Sequence, residues 1–199
     1  MDEKELVQRL KGGDKAAFDA LYEKYKNILL RMAYLISGQI FDAEDVVQET
    51  FVKCFLHIGE LKKEEGFRSW LFQILYHTAY RHQKKRGREI PDEQIAIRAD
   101  ATDGMTSLDR IIKTENEKQV HDAVQSLDFK HRAVVVLYYY NEMTAKEIAR
   151  TLGCTEGTVK SRLFAARKKL RGKLMMHGKG GGSYEEGGKQ EENRRLYFL

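Results

Sequence analysis

Two stretches of this chain place cations, rings and hydrogen-bonding groups at intervals of three and four residues, a pattern that binds polyanions rather than making or breaking bonds. In FRSWLFQILYHTAYRHQKKR, the residues Gln73, Tyr76, His77, Tyr80, Arg81 and Lys84 recur on one side. Each ring offers a face to an unstacked base and each cation neutralises a phosphate. A base–aromatic stack is worth about 1–3 kcal/mol, comparable to the unstacking that it offsets. In the second stretch, Lys160, Ser161, Arg162, Phe164, Arg167, Lys168 and Arg171 surround an apolar stripe of Val159, Leu163, Ala166 and Leu170. A third stretch has the opposite character. Asp45, Gln48 and Glu49 fall at i, i+3 and i+4 with Asp42 and Glu44 close by, and together they form an acidic helix face. Taken alone, that face is a solvated one near a favourable helix N-terminus.

No nucleophile–base pair, phosphate loop or metal-ligand spacing accompanies these groups. The six His residues are scattered, and Cys54 and Cys154 lie far apart and read as small buried side chains. No catalytic residue, metal or cofactor is expected. The chain has 199 residues, 42% of them hydrophobic and 33% charged, with a net charge of +5. The charge is segregated: roughly −3 over residues 1–60, +5 over 62–90, −4 over 88–109 and +7 over 144–174. Two basic blocks around an acidic joint suggest two footprints on a polyanion. The N-terminal MDEKELVQRLKGGD is charged throughout, unlike a signal peptide, and no apolar run approaches a membrane span. A cytoplasmic protein without stable membrane insertion is expected.

The elements that must carry these groups are helices. Residues 4–11 read as a short helix ending at Gly12-Gly13. Asp14 can cap a longer one to about Ile36, whose Phe18, Leu21, Tyr22, Tyr25, Leu29, Met32 and Ile36 follow the helical period, with Gly38 ending it. Asp42 is expected to cap a third helix through about Ile58, with Val47, Phe51, Cys54, Phe55 and Ile58 buried. GELKKEEG (59–66) reads as a loop. The fourth helix should bury Leu71, Ile74, Leu75 and Thr78, with Trp70 between its two faces and most simply a core anchor. KKRGRE closes this first domain, residues 1–87. Residues 88–107 hold the only proline and a net negative charge, and read as a linker.

The second domain, 108–174, starts at Ser107 or Asp109. One helix carries Ile111, Ile112, Val120, Ala123, Val124 and Leu127, with a break near Thr114. FKHRAVVVLYYY forms a second that ends near Asn141. Two more follow: Ile148, Ala149 and Leu152 repeat in the first, Gly153 supplies its C-terminus, and Thr155 caps the next. That is a helix-turn-helix, whose second helix enters a major groove. Residues 175–199, rich in glycine and charge, are expected to be disordered, with LYFL either a partner anchor or a frayed end. The fold class is all-α, two small helical domains on a flexible acidic linker.

MTAKEIARTLGCTEGTVKSRLFAARKKL resembles the promoter-binding C-terminal region of bacterial RNA polymerase sigma factors, with EIA, LG, GTVKSRL and AR-KKL as landmarks. DAEDVVQETFVKCF resembles the sigma segment that docks on a coiled coil of the polymerase β′ subunit. FRSWLFQILYHTAYRHQKKR resembles the region that recognises and opens the −10 promoter element. The order of all three is similar to that of the small extracytoplasmic-function (ECF) class of the sigma-70 family. The resemblance implies that Asp45, Gln48 and Glu49 dock on core polymerase, with Phe51 mainly core. An acidic face meeting a basic coil orients encounter more than it adds affinity.

The resemblance further implies that Lys62, Lys63 and Phe67 border a pocket for a flipped base, and that His77, Tyr80, Arg81 and Lys84 meet the melted −10 strand. It places Thr155, Lys160, Ser161, Arg162 and Phe164 at the −35 element, with Arg167 and Lys168 on phosphates or in packing. Its implied partners are core RNA polymerase through the β′ coiled coil and the β flap, promoter DNA, and an anti-sigma factor. In the family the linker threads the polymerase cleft; a passive tether is the other reading. The chain departs from the pattern at His77, where Asn is usual, at Ala165, where many members have Arg, and at Asp128, where Pro is frequent. A polymerase-independent helix-turn-helix regulator would account for the second domain but not for the acidic face and aromatic-basic helix upstream. A nucleic-acid enzyme would need a reactive constellation that the sequence does not supply.

Overall fold

Glycine turns and capping side chains set the helix ends in the first half of the chain. A computed structural model describes residues 2–89 and 115–177, with side chains over 2–85 and 119–174, and no strand occurs among them. Helix α1 (Glu3–Lys11) is followed by α2 (Lys15–Ser37) across Gly12-Gly13-Asp14. Gly13 takes φ 85°, which a side chain resists. The Asp14 carboxylate accepts from the Ala16 and Ala17 N–H groups at 2.9 and 3.4 Å. The Arg9 guanidinium, 2.7 Å away, holds the Asp14 carboxyl below its ordinary range. Gly38, at φ 82°, donates to the Tyr34 carbonyl at 2.8 Å and ends α2 where the sequence places the stop.

Helix α3 (Ile40–His57) begins three residues earlier than expected. Left-handed Gly38 leaves Gln39 extended (φ −137°) in the N-cap position, so Asp42 sits in the first turn, where its charge still favours the dipole. Two 3₁₀ turns, Ile58–Glu60 and Glu64–Gly66, replace a featureless loop before α4 (Phe67–Glu89), which runs through Gly87. Helix α2 packs on both α1 and α3, and α3 on α4. Val7, Leu10, Leu21, Leu29, Met32, Ile36, Leu71, Phe72 and Leu75 are almost fully buried among them. Phe55, expected in the buried stripe, is 43% exposed. It lies on the outer edge of α3, stacked edge-on against Phe18 at 5.4 Å.

The chain divides into two units. One is built around α1–α4, the other around α5 (Glu115–Gln125), α6 (Phe129–Val135), the first half of α7 (Ala145–Leu152) and α8 (Glu156–His177). In the second unit Asp128 caps α6, accepting from the His131 N–H at 3.2 Å. The backbone of α6 continues as a π turn over Val136–Tyr140, closed by the Asn141 side-chain amide on the Val136 carbonyl at 3.2 Å. Arg132 is buried with its guanidinium donating to the Leu127 carbonyl, tying the end of α5 to α6. Ala123, Val124, Leu127, Val135, Ala166 and Leu170 form one core cluster.

The expected tail boundary at Leu174 falls inside α8, which runs three residues further to His177. The expected linker start at residue 88 falls inside α4, which runs to Glu89; the linker from residue 90, the start of the second domain at Ser107 or Asp109, Ile111, Ile112 and the tail beyond His177 lie outside the described residues.

Candidate functional site

Three exposed helix faces carry the groups that the sequence singled out. The first is the outer face of α3. At 3.6 residues per turn, Phe41, Asp45, Gln48, Val52, Phe55 and Leu56 fall within one narrow sector, opposite buried Ala43, Val46, Val47, Thr50 and Cys54. Asp45 and Gln48 are exposed. Phe41, Val52 and Leu56 are 66%, 58% and 69% exposed, so an apolar rim brackets the polar pair. Sequence reasoning missed this rim. Its signal was an α3 apolar on both sides, more than one buried stripe requires.

Glu49 turns away from that sector. Its carboxylate accepts from Lys53 Nζ at 2.5 Å, Arg81 at 2.8 Å and His82 Nε2 at 2.7 Å, and Lys53 also donates to the Thr78 hydroxyl at 2.7 Å. Glu49 therefore joins α3 to α4, and Arg81, expected free for DNA, is held by it. Cys54, on the inner side, has its thiol pushed up to about 12 by burial and is an inert core residue.

The second face belongs to α4 and the turn before it. His77, Tyr80, Arg81 and Lys84 are exposed, as are Lys62 and Lys63. Tyr76 and Phe67 are not: they are 7% and 1% exposed, because α2 and α3 cover more of α4 than a single stripe suggests. The Phe67 ring packs edge-on against Tyr25 at 5.6 Å and close to half-buried Trp70 at 6.2 Å. Its place bordering a base pocket is thus corrected to a core anchor. Tyr76 supports Tyr80 from below, their rings stacked at 6.4 Å and 15°, and stands edge-on to His77 at 5.3 Å. Ile74, expected in the core, is half-buried.

The third face is α8. Thr144 and Glu147 form a reciprocal capping box at the start of α7: the Glu147 carboxylate accepts from the Thr144 N–H at 2.8 Å, and the Thr144 hydroxyl accepts from the Glu147 N–H at 3.3 Å. Gly153 (φ 64°) closes α7, and Cys154 donates to the Ala149 carbonyl at 2.9 Å. The Thr155 hydroxyl accepts from the Thr158 N–H at 3.1 Å and fixes the first turn of α8. Val159, Leu163, Ala166 and Leu170 are buried, as the spacing predicts.

The opposite side of α8 presents Gly157, Lys160, Ser161, Phe164 and Lys168 at one-turn intervals, with Phe164 73% exposed. Arg162 flanks that side and is half-buried, as is Ala165. Lys160 pairs loosely with Glu156 at 2.8 Å, and the Ser161 hydroxyl donates to the Thr158 carbonyl at 3.0 Å. Arg167 is braced: its Nε donates to the Tyr139 hydroxyl at 2.8 Å and its guanidinium lies 5.5 Å from the Tyr138 ring. Behind α8, Val120, Val124, Val135, Tyr139, Leu170 and Leu174 line a shallow apolar groove. Among the described residues no His, Cys, Asp and Glu cluster could hold a metal, and no helix is long and apolar enough to cross a membrane.

Sequence and structure comparisons address the whole pattern. The family description of sigma-70 region 2 matches residues 21–89, and that of sigma-70 region 4 matches residues 117–170. The RNA polymerase sigma-H factor of Pseudomonas aeruginosa is 32% identical over 176 residues, 84% of this chain and 91% of that one. The ECF RNA polymerase sigma-E factor of Haemophilus influenzae is 32% identical over 179 residues, covering 85% and 93%. A solved structure of the sigma factor RpoE from Bartonella quintana, in complex with the anti-sigma factor NepR, is 25% identical with a TM-score of 0.66, covering 79% of this chain and 96% of that one. CnrH, solved in complex with the cytosolic domain of CnrY, shares the fold at 24% identity and the same TM-score, covering 87% and 97%.

Proposed function

The chain belongs to the extracytoplasmic-function group of sigma-70 factors, and from that premise we propose how its three faces divide the work of starting transcription. The protein binds core RNA polymerase and directs promoter-specific initiation, reading the −35 element and melting the −10 element. Residues 1–87 form the polymerase-docking and −10 domain, 88–107 the linker, and 108–174 the −35 domain. Asp45 and Gln48 meet the basic β′ coiled coil, with the apolar rim of Phe41, Val52 and Leu56 burying the contact around them. A polar centre sets orientation, and desolvated apolar groups supply most of the affinity. Glu49 stands at the edge of that contact.

On α4, His77 and Tyr80 stack on melted −10 bases while Arg81 and Lys84 take phosphates. Lys62 and Lys63 attract the flipped strand, and Phe67 acts from the core. His77 offers a ring and one N–H in place of the two-point amide usual in the family, so base preference at its position follows stacking more than hydrogen bonding. In α8, Lys160, Ser161 and Phe164 read the −35 major groove, Thr155 fixes the helix start, and Arg162, Arg167 and Lys168 flank them on phosphates. The apolar groove behind α8 suits the β flap.

The protein acts by binding, with no bond chemistry of its own, and in the cytoplasm where polymerase and DNA meet. An anti-sigma factor of the kind that accompanies RpoE in its solved structure is the expected regulator. The observation that carries the reading is the order of two matched regions on one chain, each with its outward face free of core packing. Run-off transcription with core polymerase on a genomic promoter library tests it. Promoter-directed transcripts that need both protein and core are expected. A purified protein that alone selects a duplex at nanomolar strength would instead mark a polymerase-independent regulator.

A further inference from the structure

Helix α1 lies outside the region 2 match, which begins at residue 21. It nevertheless reaches across the fold to the turn before α4. Lys11 Nζ pairs with Glu64 at 2.7 Å across 53 residues of sequence, with the two side chains only 23% and 32% exposed. Lys4 pairs with Glu65 at 3.0 Å. Glu3 accepts from the Tyr25 hydroxyl at 2.8 Å, and the Tyr25 ring abuts Phe67. The segment from Leu61 to Phe67 is therefore fixed at four points. Leu61 and Phe67 are buried at its ends, and Glu64 and Glu65 are drawn toward α1 between them. The two groups left exposed and without an ion pair among the described residues are Lys62 and Lys63. In a run of KKEE, two carboxylates beside two ammonium groups would cancel the attraction for a phosphate strand unless the carboxylates were paired elsewhere.

We propose that α1 is a positioning element for the −10 loop: Lys11, supported by Lys4, neutralises and anchors Glu64 and Glu65 so that Lys62 and Lys63 alone face the melted strand. This rests on the assignment of the loop to the −10 element. Lys11 and Lys4 are positioning residues; they act through the loop and do not touch DNA. The arrangement links sequence to promoter choice through an element that carries no DNA-binding pattern of its own.

The test uses holoenzyme assembled with core RNA polymerase on a promoter library randomised over the −10 element. Lys11→Glu and Glu64→Lys are compared singly and together. Each single change should lower open-complex formation about two- to fivefold, the range that a partly exposed ion pair supports. Each should also alter base preference at −10 while leaving −35 preference and core binding unchanged. The reversed pair in the double variant should recover both. Lys15→Glu, the same charge change at the start of α2, should do neither. An unchanged −10 preference in Lys11→Glu, or a double variant no better than the singles, overturns the positioning role. A loss of fold would show as weaker core binding and −35 selection together, and that pattern also counts against it. Lys62→Ala with Lys63→Ala separates the two layers. If it leaves −10 preference unaltered, the loop assignment falls and this role with it. If it alters the preference and Lys11→Glu does not, only the role of α1 falls.

Discussion

At Glu49 a single carboxylate faces two cations, Lys53 and Arg81, and the His82 ring, each within 2.8 Å. In the free protein this pairing holds Arg81 back from a phosphate strand. Glu49→Gln should therefore tighten binding of the polymerase-free protein to a single-stranded −10 oligonucleotide by about threefold, consistent with a surface ion pair, and steepen its salt dependence by about one phosphate contact. Asp45→Asn makes the same charge change one turn away without touching Arg81. Equal effects in the two variants, measured by fluorescence anisotropy, would reduce the result to net charge.

Asp128 gives a second test at the same scale. Burial alone would raise its carboxyl. The His131 backbone N–H, the His131 ring at 2.6 Å and Lys169 more than offset that, and hold it down to about 2. A depressed carboxyl contributes its stability above its unfolded value of about 4 and loses it as pH falls from there toward 2. Asp128→Ala should cost about 1 kcal/mol as a lost helix cap, and the difference from wild type should vanish on acidification below that window. Trp70 is the only tryptophan and belongs to the first unit. The loss is expected in the circular dichroism melting curve and not in the tryptophan fluorescence one.

Among the elements, α3 and α8 solve the same problem differently. Each buries one stripe and leaves the opposite side exposed. On α8 the exposed side is basic with one large ring, Phe164, which suits a groove edged by phosphates. On α3 it is a polar pair inside an apolar rim, which suits another protein. Val52→Asp with Leu56→Asp should lower co-purification with core polymerase by at least about tenfold, since charges in an apolar rim that the contact buries must be desolvated, while leaving helicity intact. Phe51→Asp, one residue from Val52 but 5% exposed, should unfold the first unit instead. Retained core binding by the double aspartate variant would remove the rim from the interface.

For the whole molecule, two weak footprints become one strong one only if a common platform holds both. The basic groups on the outer side of α8 are few, so the isolated −35 contact should be weak, with a shallow salt dependence. Cleaving the chain between residues 90 and 114 after holoenzyme assembly should lower promoter occupancy by about a hundredfold, because the second contact ceases to be intramolecular. Undiminished occupancy after complete cleavage would show that polymerase alone supplies the coupling.

The sequence determined which segments are helices, where most of them stop, and the buried stripe of α8. Period, caps and glycine turns are local properties, and Gly38, Gly153, Asp14 and Thr155 act within a few residues of themselves. The family was legible for the same reason: its landmarks lie along single helices. Only the tertiary structure decided that Phe55 faces outward while Tyr76 and Phe67 are covered, that Glu49 holds Arg81, and that Lys11 reaches Glu64. A helix's pattern ranks its faces by polarity, but how many neighbours cover it, and which distant charge arrives beside a given side chain, are set by packing between segments tens of residues apart.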